Sequence, residues 1–174
     1  MRRSDLEHIL RAASAITLRN EFVFIGSQAI LAEHPDAPIE LVRSIKLDIY
    51  PRGAPSEGDL IDGAIGEGSV FHNKFGYYAH GVGPETATLP NGWEERLVPI
   101  SGPGCGGATA WCLETHDVAI AKLVAGREKD LDFVRGLVEH DYARPEILRD
   151  RLEATPLDAE TRALCEARLQ RIAG

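Results

Sequence analysis

The sequence predicts an α/β (α+β) domain in which a strand-rich N-terminal half carries a helical C-terminal half. Three observations predict it. The apolar run Phe22-Val23-Phe24-Ile25 breaks at Gly26-Ser27 and is followed by a helical stretch, Gln28-Ala29-Ile30-Leu31-Ala32. Ser44 to Tyr50 alternates and is stopped by Pro51, so Ile45, Leu47 and Ile49 share one face and Ser44, Lys46, Asp48 and Tyr50 the other. After Thr115 the apolar residues recur at helical spacing.

In order, Ser4 and Glu7 have capping-box spacing, and a helix should run to about Leu18 with Leu6, Ile9, Leu10, Ala13 and Ile16 inward. Phe22 to Ile25 is the first strand, and the helix after Ser27 ends before Pro35. The second strand lies within Leu41 to Tyr50. Ser56 caps a helix over Asp59 to Ala64, stopped by Gly66-Glu67-Gly68. Strands are expected at Phe75 to Val82, Thr86 to Leu89 and Arg96 to Ile100. Ser101 to Gly107, with four glycines and a proline, is a flexible loop. Helices follow over Thr115–Ala125, Glu128–His140 and Pro145–Leu152. A last one is capped at Thr155-Pro156-Leu157-Asp158, with Leu164, Cys165, Leu169 and Ile172 on one side.

Length bounds the organisation. A chain of 174 residues suits a single domain over 1–174, with a strand-rich core at 1–113 and a helical part at 114–174. At 44% hydrophobic and 26% charged it buries a core without staples. The net charge of -8 argues against indiscriminate coating of nucleic acid and leaves room only for a local basic groove, for which Lys122, Arg127 and Lys129 are the candidates. Three cysteines without a CxxC pair point to a reducing compartment. With no signal-peptide apolar region and no membrane-length run, the cytoplasm is the expected location and no membrane partner is expected.

Five places carry chemistry, each with a plainer reading beside it. Gly26-Ser27 between strand and helix makes a phosphate seat, because free N–H groups and the positive helix end point at an anion; on the dipeptide alone the commoner reading is an ordinary capped turn. Asp48 is a magnesium ligand on an exposed strand face, or a solvated residue paired to Lys46. Glu67 sits between glycines that let a ligand approach, or simply ends a helix. The run from Phe71 to His80 stacks a base, or forms a half-buried strand. In Lys122-Leu123-Val124-Ala125-Gly126-Arg127-Glu128-Lys129-Asp130, Lys122 and Arg127 neutralise phosphate charge and Asp130 orients or deprotonates a hydroxyl; alternatively it is a helix junction with i,i+4 pairs.

Taken together, the Gly26-Ser27 turn, the strand bearing Asp48 and the Lys122-to-Asp130 run resemble the minimal nucleotidyltransferase superfamily, and more narrowly a group of small bacterial nucleotidyltransferase-like proteins related to AbiEii-type toxins. Asp59-Leu60-Ile61-Asp62-Gly63, Gly92 to Pro99 and Trp111-Cys112-Leu113-Glu114 belong to the same resemblance, which covers roughly Phe22 to Asp132. It implies a twisted mixed sheet flanked by helices, with C-terminal helices beyond. It also implies transfer of a nucleotidyl group from a nucleoside triphosphate to a hydroxyl on RNA, such as tRNA, or on a protein, with Mg2+ as cofactor. On that reading Gly26 and Ser27 hold phosphate, Asp48 binds metal, and Lys122, Arg127, Lys129 and Asp130 complete the cleft. A role as a toxin with an antitoxin partner is implied too. The departure is at the metal motif: Asp-x-Asp reads Lys46-Leu47-Asp48, and the strand Arg96 to Ile100, where a third ligand is expected, holds no acid. Glu67, Asp62 or Glu95 then substitutes from a loop, or Lys46 replaces one metal electrostatically, or the chain is a silent member that binds nucleotide, RNA or a protein. A further reading has the C-terminal amphipathic helix pairing with a second copy or an antitoxin.

Overall fold

A computed structural model describes all 174 residues. Helix α1 (Arg3–Thr17) leads into β1 (Glu21–Ile25), and β2 (Lys46–Pro51) follows a long loop. Helices α2 (Gly58–Ile65) and α3 (Val70–Phe75) precede β3 (Tyr78–Gly81); β4 (Val98–Ile100) and β5 (Thr109–Cys112) complete the sheet. Helices α4 (Thr115–Ala125), α5 (Glu128–Glu139), α6 (Pro145–Glu153) and α7 (Ala159–Ala173) form the helical half. The mixed sheet has the order β3-β2-β1-β5-β4, with β1 parallel to β5 and antiparallel to β2, and β2 parallel to β3. This is the mixed α/β architecture expected from the sequence.

β1 is central because it is apolar on both sides. Phe22 and Phe24 are fully buried, Val23 and Ile25 nearly so, and each such side chain contributes about 1.5–3 kcal/mol by leaving water. One hydrophobic cluster runs from Leu6 through the sheet to Leu169, so both halves share it. Cys165 and Leu169 of α7 lie within that cluster, and Arg168 of α7 donates to the Leu123 carbonyl at 2.6 Å; Leu164 is half exposed. No helix is long and apolar enough to cross a membrane.

Several expected elements differ. Thr86 to Leu89 is not a strand: Pro84–Thr86 forms a single tight turn and the chain runs on irregularly. The aromatic run from Phe71 is not one strand either. Ser69 accepts from the His72 N–H and starts α3, Gly76 ends it at φ 77, and only Tyr78 onward extends. The stretch after Ser27 is a 3-10 helix, Ser27–Ala32, rather than an α-helix. β5 was not expected at all, since four residues between glycines and a helix cap carry too little pattern.

Caps moved as well. Asp5, not Glu7, reaches back to the Arg2 N–H at 2.7 Å, because the helix starts one residue before Ser4. Ser56 lies in a 3-10 turn and makes no side-chain cap to α2, which follows Glu57. Asp158, rather than Thr155, caps α7, accepting from the Thr161 N–H at 2.8 Å, so Pro156 falls outside the helix. Glu114, not Thr115, caps α4 through the His116 and Asp117 N–H groups. Thr115 instead donates its N–H (2.7 Å) and hydroxyl (2.6 Å) to Glu33. That double bond clamps the end of the Ser27 helix to the start of α4, and so fixes Gly26-Ser27 relative to Lys122.

Candidate functional site

Asp48 is the centre from which the site is built. In β2 it pairs with Ile25 of β1 on one side and with His80 of β3 on the other. Its Oδ1 lies 2.8 Å from the Lys46 Nζ and 2.9 Å from the His80 Nδ1, which is itself 3.3 Å from the Lys46 Nζ. Lys46 and Asp48 are on the same strand face, two residues apart, so their pairing follows from the strand period.

Gly26 closes over the other oxygen. A β-carbon at this position would stand 2.8 Å from Asp48 Oδ2, and the residue has φ +81, where a side chain is strained. The glycine is required twice, by the backbone turn and by the carboxylate. Gly26→Ala is expected to cost about 1–2 kcal/mol of stability from the positive φ alone, measured by urea denaturation, and to displace Asp48 from its contact with His80, measured as a shift of the His80 ring resonances. Ser27, the first residue of the 3-10 helix, is half-buried next to it.

The second half of the site comes from α4 and α5. Gly126 ends α4 at φ +65, so the chain turns and places Arg127 in line with the preceding turn. Lys122 binds Asp130 Oδ1 at 3.1 Å, and Arg127 binds Asp130 Oδ2 at 2.5 Å. Asp130 is 2% exposed. Burial opposes its charge, but Arg127 and Lys122 outweigh burial and hold the carboxyl below its ordinary value of 3.8. The guanidinium of Arg127 is held charged first by Asp130, and the charge of Asp48 adds to this. No ion pair joins the two clusters: Asp48 pairs with Lys46 and His80, and Lys122 and Arg127 pair with Asp130. Lys129 is exposed and makes no ion pair.

A carboxyl depressed in the folded state stabilises the fold above its unfolded pKa and loses that contribution as pH falls through the folded value. The stability advantage of the native chain over Asp130→Asn should therefore be full above about pH 4 and shrink below it. Urea midpoints of the two proteins from pH 7 down to pH 3 check this.

Glu67 and Asp62 are exposed. Both are felt, with Asp48, by the Tyr78 phenol, which burial pushes up before these charges add to it. They thus lie around Tyr78 rather than in contact with Asp48. Glu95 is exposed in the turn Trp93–Arg96. The third-ligand position also differs from expectation. β4 is at the far edge, with β1 and β5 between it and β2, so no residue of Arg96–Ile100 reaches Asp48. The strand that flanks β2 is β3, and the residue opposite Asp48 is His80. Sequence reasoning passed over His80 as one of an aromatic run. The signal available was its register: placing a strand at 78–81 parallel to β2 would have put it there.

A cavity of about 770 Å³ lies between α6 and α7 and includes Arg149, Arg162 and Glu166. None of its residues belongs to the Asp48 cluster, so side-chain chemistry rather than cavity size locates the site.

Residues 4–162 match the model of a family described as a nucleotidyltransferase of unknown function (DUF6036). No curated protein and no solved structure matches the chain significantly.

Proposed function

The chain belongs to the DUF6036 family of nucleotidyltransferases of unknown function, and from that premise we propose that it binds a nucleoside triphosphate at Asp48 and transfers the nucleotidyl group to a hydroxyl. The observation that carries this reading is the convergence at Asp48. Gly26 closes over one carboxylate oxygen, Lys46 and His80 hold the other, and the charge of Asp48 reaches Arg127 of the Lys122–Arg127–Asp130 group without contact.

In this reading the turn at Gly26-Ser27 receives phosphate through backbone N–H groups and the Ser27 hydroxyl. Lys46, Lys122, Arg127 and Lys129 neutralise the triphosphate and the charge that builds on the leaving pyrophosphate. The magnesium that the fold family implies does not fit these residues as a two-ion site. Asp48 is the sole carboxylate of its cluster, an ammonium group already occupies its Oδ1, and no group of three or more His, Cys, Asp or Glu is arranged to hold a metal. The step is therefore assigned to the chain's own charges, with Lys46 standing where a divalent cation's charge would act.

The RNA or protein acceptors, the AbiEii-type kinship and the toxin role with an antitoxin enter the same test as finer readings. The test is incubation with each labelled nucleoside triphosphate, with and without Mg2+, reading pyrophosphate release and labelled product. Pyrophosphate release that follows Asp48 supports the proposal; bound nucleotide that never turns over favours a silent binder. The Lys46–Asp48 pair is the specific feature behind that second reading, because it already satisfies the carboxylate.

A further inference from the structure

A cavity of about 540 Å³ shares His80 with the Asp48 cluster. Ser56 and Asp59, from the entry to α2, form one wall; Glu85 and Thr86, from the segment after β3, form another. Its floor is glycine backbone. A β-carbon at Gly81 would run into the Gly58 carbonyl, and one at Gly83 would run into the Glu85 carboxylate, which lies folded over it. The shape therefore depends on residues without side chains, as a close approach of backbone to a ligand requires.

The charges divide sharply. The cations Lys46, Lys122 and Arg127 belong to the Asp48 and Asp130 pairs. The cavity is lined by the carboxylates of Asp59 and Glu85, two hydroxyls and His80, with no lysine or arginine. Burial first raises the phenol of Tyr50, two residues beyond Asp48 on the same strand face; Glu94 adds to this, Arg52 opposes it, and Glu85 adds the smallest part. One end of the site thus suits a triphosphate, and the other repels one.

Resting on the nucleotidyltransferase reading, we propose that this cavity seats the acceptor, and that the acceptor is a small hydroxylated amine bearing positive charge. The volume is in the range of small-molecule sites, about 300–1,000 Å³. The carboxylates attract ammonium groups and oppose a phosphate backbone, while Ser56 and Thr86 can donate to and accept from hydroxyls.

His80 supplies the missing proton acceptor. The His80 Nδ1 lies 2.9 Å from Asp48 Oδ1 and 3.3 Å from the Lys46 Nζ; in the proposed transfer the ring proton is assigned to Nδ1, donated over the shorter contact to the carboxylate, so that the lone pair is on Nε2. The acceptor oxygen bonds to the α-phosphorus as its proton passes to His80 Nε2. The bond from the α-phosphorus to the α,β-bridging oxygen breaks, and its electron pair leaves with pyrophosphate.

The probe is 1,3-diamino-2-propanol, with glycerol as its uncharged counterpart and a short single-stranded RNA as the anionic one, each supplied with the four nucleoside triphosphates. The diamine should accelerate pyrophosphate release and gain the mass of one nucleotidyl group. The double variant Asp59→Asn/Glu85→Gln should raise its KM about 10-fold, the combined worth of two part-exposed ion pairs, with triphosphate binding by calorimetry at the native level. His80→Gln should lower kcat while triphosphate binding stays at the native level. Glycerol or RNA outperforming the diamine, or a KM unmoved by the double variant, overturns the acceptor assignment while leaving nucleotidyl transfer standing. No triphosphate binding and no pyrophosphate release with any acceptor overturns both.

Discussion

Asp48→Asn should lower nucleotidyl transfer on the order of 10³-fold while leaving the protein folded. The two effects separate because the interactions differ in kind. As a stability element, Asp48 holds a Lys46 ammonium that is 38% exposed, and part-exposed pairs contribute at most about 1 kcal/mol. As a functional element, its carboxylate meets the His80 Nδ1 at 2.9 Å, where it accepts in the tautomer proposed for transfer, and holds Lys46 in place. An amide of the same shape can present its N–H to the imidazole and flip the tautomer, and it leaves the Lys46 charge uncompensated. The check is initial-rate pyrophosphate release beside a urea titration. Native-level turnover would remove Asp48 from the chemistry. Unfolding of the variant would mean that the residue serves the fold.

The parts of this molecule that were legible in the sequence are those set by short-range physics. β1 announced itself as four apolar residues between a loop and a glycine, and β2 as an alternation ended by proline. Helix α5 followed from apolar spacing, and α4 and α6 from their end signals, Gly126 after the one and Pro145 at the start of the other. The run from Lys122 to Asp130 was legible as one unit because Gly126 and Arg127 lie between two helices and a single turn brings 122 and 130 together. What was not legible depended on pairing between distant segments. β5 is four residues long and gains its identity from lying parallel to β1. His80 matters because β3 pairs in register with β2, and nothing local to Tyr77-Tyr78-Ala79-His80 distinguishes a strand face from an aromatic cluster. The search for a third acid went to the wrong strand for the same reason: Arg96–Ile100 is adjacent to β2 neither in sequence nor in space, and sheet order is a property of the whole chain. Caps were misplaced by one to three residues because several side chains at each helix start can accept from the free N–H groups. Glu33, from another segment, took Thr115 out of the competition.

Asp117→Asn should be the most destabilising polar substitution in the chain, costing about 3–5 kcal/mol. Asp117 lies in the first turn of α4 and is 0% exposed. It accepts from Arg96 Nε at 2.9 Å and Nη2 at 3.0 Å, a two-point pairing, and Arg151 of α6 stands 3.3 Å from Oδ1. Three otherwise separate pieces, the turn before β4, α4 and α6, therefore converge on one carboxylate. Burial pushes its carboxyl up, against the pull of Arg96, so charging it in the folded state is costly and the two guanidiniums offset only part of that cost. Neutralising the acid alone leaves two largely buried cations facing each other with no anion between them, which is worse than having no ion group there. A loss of about 3–5 kcal/mol is a third or more of the stability of an ordinary domain, against about 1 kcal/mol at most for the Lys46–Asp48 pair. The sign of the pH effect also differs from that of Asp130. A carboxyl raised in the folded state adds stability at low pH and loses it as pH rises from 3.8 through the folded value, so the gap between native chain and Asp117→Asn should not close on mild acidification as it does for Asp130→Asn. Replacing all three members together, Asp117→Leu with Arg96→Met and Arg151→Met, should recover most of the lost stability, because an apolar cluster carries no desolvation cost. Urea titrations of the single and triple variants decide it: a loss under about 1 kcal/mol in the single variant would show that water or neighbouring groups already screen the pair, and a triple variant no better than the single would show that the ion group sets the packing of α4 against α6.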